Sequence, residues 1–77
     1  MTEIRENLDF SDALFLMRSK KKVARKSWNG KVTFLTLQSG RIIGTKIRKE
    51  NAIRHFYWFY WRANQNDLLA NDWYVVE

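Results

Sequence analysis

The sequence predicts an α+β fold: one N-terminal amphipathic helix packed on a small antiparallel sheet, with a short C-terminal helical turn. Three observations predict it. Phe10, Ala13, Leu14 and Met17 recur at i, i+3, i+4 and i+7, one face of a helix. From Lys22 onward the apolar residues turn β-branched and aromatic, and turn formers break them into short runs. The 77 residues contain no Pro, three Gly and no repeat or linker-like stretch. A single domain over 9–77 follows, with 1–8 as a loosely ordered lead-in.

The elements follow in order. Residues 9–19 read as the helix, with Asp9 as N-cap and Asp12 three residues on as a weak capping box. Both carboxylates suit the positive end of the helix dipole, and Arg18, Lys20, Lys21 and Lys22 suit the other end. Lys22 to Lys26 reads as a short strand, with Val23 and Arg25 on one face and Ala24 on the other. Asn29-Gly30 is a hairpin signal, because both residues accept positive φ. Val32 to Leu37 is a strand, Gln38-Ser39-Gly40 a turn, and Arg41 to Ile47 a strand with Gly44 as a bulge. Residues 48–54 read as a loop or a single helical turn. His55 to Trp61 is a third long strand, 64–71 a short helical turn, and Asp72 to Val76 a last short strand.

Composition narrows the function. There is no cysteine and one histidine, so disulfides and a Cys/His zinc site are excluded. A chain this short buries only about 60% of its unfolded surface. Dense apolar packing, oligomerisation or both must compensate, and 16% of the residues are aromatic. The net charge of +6 favours an anionic partner. No apolar run approaches the roughly 20 residues of a membrane span. The start, Met-Thr-Glu-Ile-Arg-Glu, lacks the apolar core of a signal peptide, which places the protein in the cytoplasm.

Three segments are candidates for function. In Phe56-Tyr57-Trp58-Phe59-Tyr60-Trp61 alternate rings face opposite ways. One helix of about eleven residues covers one face of a sheet and not two. The second face then meets another subunit or a ligand. The basic stretch from Arg18 to Lys26 leads into Ser27-Trp28-Asn29-Gly30, which sets a ring beside cations as nucleotide recognition requires. Trp28 is equally placed to anchor a core. In 64–73, Asn64 and Asp67 read either as turn caps or, with Gln65 and Asn66, as polar contacts to a base or ribose. Catalysis finds no support: no Ser stands near His55, and there is no phosphate-binding glycine loop. The chain reads as a binder without catalytic residues, metal or cofactor.

These motifs resemble a known family. Phe10-Ser11-Asp12-Ala13-Leu14, then Val23-Ala24-Arg25-Lys26-Ser27-Trp28-Asn29-Gly30, then Trp61 to Trp73 with Gln65, Asp67-Leu68-Leu69-Ala70 and Asp72-Trp73 are similar to the Thoeris anti-defence two-like domain. The resemblance covers about residues 10–76. It implies a phage or prophage protein that assembles as a homotetramer with pockets between protomers. Such proteins act as sponges that bind a cyclic nucleotide immune signal without cleaving it. The ligands implied are glycocyclic ADP-ribose or CBASS-type cyclic dinucleotides, met in the cytoplasm of the bacterial host. Carried over by residue, Trp28 is the stacking ring, with Asn29 and Gly30 supplying backbone amides. Arg25 is the phosphate partner, and Gln65 and Asp67 contact a base edge or ribose. The middle departs from the family pattern: it is short, Pro-free and ends in the aromatic run. The alternative is a basic aromatic inhibitor of the anti-CRISPR kind, binding single-stranded nucleic acid or a host defence protein. Arg25 beside Trp-Asn-Gly favours a small anionic nucleotide over a polynucleotide.

Overall fold

The computed structural model describes residues 6–30 and 32–76. The elements run α1 (Phe10–Arg18), β1 (Lys22–Arg25), a 3-10 turn (Lys26–Trp28), β2 (Phe34–Gln38), β3 (Arg41–Glu50), β4 (Ile53–Tyr60), α2 (Gln65–Leu69) and β5 (Trp73–Val76). The five strands form one antiparallel sheet in the order β4-β3-β2-β1-β5. Helix α1 lies across β1, β2 and β5.

Local chemistry starts the helix where the sequence says. The Asp9 carboxylate accepts from the Asp12 N–H at 2.9 Å, and the Asp12 carboxylate accepts from the Asp9 N–H at 3.4 Å. This reciprocal box satisfies two donors that no helical carbonyl reaches. Ala13 and Met17 then point into the core with Leu8, Val23, Leu35 and Trp73. Leu8 belongs to the expected lead-in, yet it is 7% exposed and exchanges two backbone hydrogen bonds with Trp73, at 3.0 and 3.1 Å. Residues 1–5 of that lead-in lie outside the described residues.

Three expectations about the middle of the chain are corrected. Asn29 and Gly30 do take positive φ, 48° and 83°. They close the 3-10 turn within a longer β1–β2 connection, however, and do not join two paired strands directly. Gly44 is no bulge. The register runs unbroken from Leu35 through Gly44 to Phe59, and the Phe59 ring lies over the glycine. A Cβ there would meet Phe59 Cζ at 2.4 Å, so the missing side chain lets the ring approach the backbone of β3 closely. Residues 48–54 are mostly strand, and the expected loop shrinks to two residues. Strand β3 continues to Glu50, and Asn51 and Ala52, at φ 51° and 64°, form a two-residue turn into β4. Such left-handed turns match strand twist. Ser39 and Gly40, at 50° and 77°, do the same between β2 and β3. The polar content of 48–54 conceals the strand because this part of the hairpin lies on exposed surface.

The result is a small core with a long hairpin attached. Paired residues share a face. The helix side of the sheet therefore carries Val23, Leu35, Gly44, Lys46, Arg48, His55, Tyr57 and Phe59. The opposite side carries Phe34, Thr45, Ile47, Phe56, Trp58 and Tyr60. Phe56, Trp58 and Tyr60 are more than half exposed, and the molecule measures 40 × 27 × 23 Å.

Ala52 occupies a backbone region that costs an L-residue about 1 kcal/mol or more. Ala52→Gly is expected to raise stability by about 1 kcal/mol, read as a higher midpoint in urea unfolding. An unchanged or lower midpoint contradicts the turn geometry.

Candidate functional site

Asp67 is 5% exposed and ties itself to Arg25 and Trp28, which makes three of the six residues that the sequence nominates. It stands on the first turn of α2, where its carboxylate accepts from the Asn64 N–H and the Asn64 side chain accepts from its own N–H. One carboxylate oxygen, Oδ1, accepts from Arg25 Nη1 at 2.8 Å and from Trp28 Nε1 at 3.3 Å. Its backbone carbonyl accepts from Trp73 Nε1 at 3.1 Å. Arg25 also donates from Nε to Asp72 Oδ1 at 2.7 Å, and Asp72 Oδ2 accepts from the Ser27 N–H at 3.1 Å. A buried carboxylate is tolerable only with charged and hydrogen-bonded partners, and here it has both.

The rings close around this network. Trp73, fully buried, meets Trp28 edge-on at 5.3 Å, Phe10 at 5.4 Å and Trp61 edge-on at 6.0 Å. Trp28 and Trp61 lie 6.3 Å apart. Aromatic pairs in such tilted arrangements add to the stabilisation that burial gives. The Arg25 charge is thus more than balanced by two aspartates, which engage two of its five N–H donors, and Trp28 is half-buried with its N–H engaged.

The remaining nominated residues lie outside the cluster. Asn29 and Gly30 are exposed at the end of the 3-10 turn, and Gln65 is exposed on α2. The Gly30 carbonyl accepts from Lys46 Nζ at 2.6 Å, which ties that turn to the β3–β4 hairpin. There the structure joins Tyr57 and Phe59 of the aromatic run to Lys46 and Arg48, two cations that sequence reasoning missed. Lys46, Arg48, Tyr57 and Phe59 line an open cleft of about 420 Å³. Lys46 is directly opposite Tyr57, and Gly44 opposite Phe59. The alternation of cations along β3 was a usable signal. The signal is cut short in the sequence because Arg48 and the turn that folds β4 back onto β3 fall in the polar stretch 48–54, which reads as a loop. Among the described residues, no cluster of His, Asp and Glu could hold a metal, and no helix is long and apolar enough to cross a membrane.

Two measurements test the network. Asp67→Ala strips the acceptor from Arg25 and Trp28 and removes a cap, so it should cost about 3 kcal/mol in denaturant unfolding. Asp9→Ala, at an exposed helix end, should cost about 1 kcal/mol. Equal losses would mean that the network adds nothing beyond capping. The second test uses pH. The hydrogen bond from Arg25, assisted by the Ser27 N–H and opposed by burial, holds the Asp72 carboxyl below the usual aspartate range. The folded state therefore binds fewer protons there than the unfolded chain. This contribution is complete above the unfolded value of about 4 and is lost as pH falls through the lowered one. Asp72→Asn should flatten the acid limb of a stability-against-pH curve and leave its shape above about pH 5 unchanged.

The chain was also compared with known proteins. No match was found among curated proteins or among solved structures. The family model described as Tad2-like, Thoeris anti-defense 2-like domain, matches residues 8–76. That span takes in the capped helix, the Arg25–Asp67–Asp72 network, the tryptophan cluster and the β3–β4 hairpin. Over nearly its whole length, then, the chain belongs to the Thoeris anti-defense 2-like domain family.

Proposed function

We propose that the protein is a phage anti-defence sponge that binds and sequesters a cyclic nucleotide immune signal without cleaving it. The family match over 8–76 carries the reading, since membership supports a phage anti-defence role. The ligand is glycocyclic ADP-ribose or a CBASS-type cyclic dinucleotide. A sponge needs affinity and no turnover. It asks for rings, cations and polar groups, and the exposed surface is rich in all three. In this reading Trp28, Asn29, Gly30 and Gln65 supply ligand contacts at the family's Trp-Asn-Gly turn and at α2. Arg25 and Asp67 act through Trp28, whose ring they hold in place.

The reading includes a homotetramer. Support comes from the sheet face opposite α1, where Phe56, Trp58 and Tyr60 are 65%, 66% and 57% exposed. Soluble monomers seldom leave such a continuous apolar surface bare. A second copy covering that face hides the rings. Light scattering should give about four times the chain mass, and a clean monomer would remove this part of the reading.

The central experiment is depletion. Purified protein should remove glycocyclic ADP-ribose or cyclic di-AMP from solution, and heating the complex should return the ligand intact. Cleaved ligand would make the protein an enzyme and sink the sponge. A second reading, as an inhibitor that binds single-stranded nucleic acid, draws on one observation. Residues 41–62 hold six Lys and Arg against Glu50 alone. Polynucleotide binding weakens steeply with salt, because each neutralised phosphate releases counterions. A small cyclic ligand shows a shallow slope.

A further inference from the structure

We infer that the nucleotide site of this chain extends from the Trp-Asn-Gly turn into the β3–β4 cleft, which holds the phosphates on Lys46 and Arg48 and a base on Tyr57 and Phe59. The inference rests on the sponge reading and assigns it a location outside the Arg25–Asp67 network. Three observations converge on it.

The first is where accessible positive charge sits. Arg25, the family-matched cation, already bridges Asp67 and Asp72 at 2.8 and 2.7 Å. A phosphate there would have to displace a buried ion pair, which is costly. Lys46 and Arg48 are placed differently. They are two residues apart on one face of β3, so their stems leave the sheet about 7 Å apart. Lys46 spends one donor on the Gly30 carbonyl and an ammonium has three. Arg48 is 59% exposed, and its contact with Glu50 is 4.0 Å, at the limit of an ion pair. Such a weak surface pair is readily exchanged for a phosphate.

The second is the ring surface. The tip of the Phe59 ring packs over Gly44, which has no side chain, and Phe59 keeps 38% of its area exposed. Tyr57 is 48% exposed and stacks with His55 at 6.5 Å and 26°. Rings at alternate positions thus run beside cations at alternate positions. That arrangement suits a planar base attached to phosphate, and stacking on one such ring is worth about 1–3 kcal/mol.

The third is continuity with the Trp-Asn-Gly turn. The Lys46–Gly30 hydrogen bond brings that turn to the rim of the cleft. The exposed family residues Asn29 and Gly30 can therefore reach the same ligand as the hairpin. The volume of about 420 Å³ is in the range of small-molecule sites.

The test is calorimetric titration of the full chain with cyclic di-AMP, glycocyclic ADP-ribose and oligothymidylate. Arg48→Ala and Tyr57→Leu should each weaken binding about tenfold or more. Lys46→Ala should do the same, and Lys46→Arg should restore most of it. Circular dichroism and light scattering check that each variant keeps its fold and assembly. Because Lys46 also holds the turn, Arg48→Ala is the decisive variant. If the wild type binds a cyclic probe and Arg48→Ala and Tyr57→Leu bind it equally well, the cleft assignment fails and the sponge reading stands. If only oligothymidylate binds, with a steep salt slope, and the same variants lose it, the cleft stands and the sponge reading fails. If the wild type binds none of the three probes, both are overturned.

Discussion

A buried carboxylate organises this small protein. Asp67 is on a five-residue helix that has little stability of its own, yet it binds side chains on β1, on the turn after it and at the start of β5. Its side chain accepts from Arg25 on β1 and from Trp28 on the following turn, and its backbone accepts from Trp73 at the start of β5. These residues are 39 and 42 positions apart from it on one side and six on the other. The network thus stitches the sheet's β1–β5 edge to α2 and sets the angle at which Trp28 meets Trp73. With no disulfide and a thin core, a charge pair with full hydrogen bonding supplies the specificity that apolar packing alone leaves loose.

The rest of the molecule follows from that economy. The core collects Leu8, α1, β1, β2 and β5 around Trp73, and α1 is too short to reach further. Strands β3 and β4 extend beyond it with side chains exposed on both faces. One face exposes Phe56, Trp58 and Tyr60, with Arg41 over the Tyr60 ring and Lys49 and Arg54 beyond them. The other pairs rings with Lys46 and Arg48. In the proposed function, the first face serves self-association and the second ligand capture.

Much of the fold was legible in local chemistry. The 10–18 helix announced itself by spacing and by Asp9 and Asp12, because capping is satisfied within four residues. The 65–69 turn did so through Asn64 and Asp67. The strand containing Phe34 to Leu37 and the Ser39-Gly40 turn were legible for the same reason. The 48–54 segment was not. Its residues pair across an exposed hairpin, where neither apolar alternation nor glycine marks the strand. Ala52 at positive φ is a choice no local rule suggests. The Trp-Asn-Gly motif was read correctly as a place with left-handed backbone and wrongly as a tight hairpin, since only the β1–β2 register shows how long the connection is.

By itself, the sequence determined the class of fold, the caps, the family and the short list of rings, cations and carboxylates. Each of these depends on identity and near-neighbour spacing. Only the tertiary structure decided how the charged groups are used. Arg25, Asp67 and Asp72 find one another inside the protein, whereas Lys46 and Arg48 face outward beside Tyr57 and Phe59. A cation's availability depends on whether a carboxylate some forty residues away folds against it. Spacing along the chain carries no information about that, because it is set by sheet order and register.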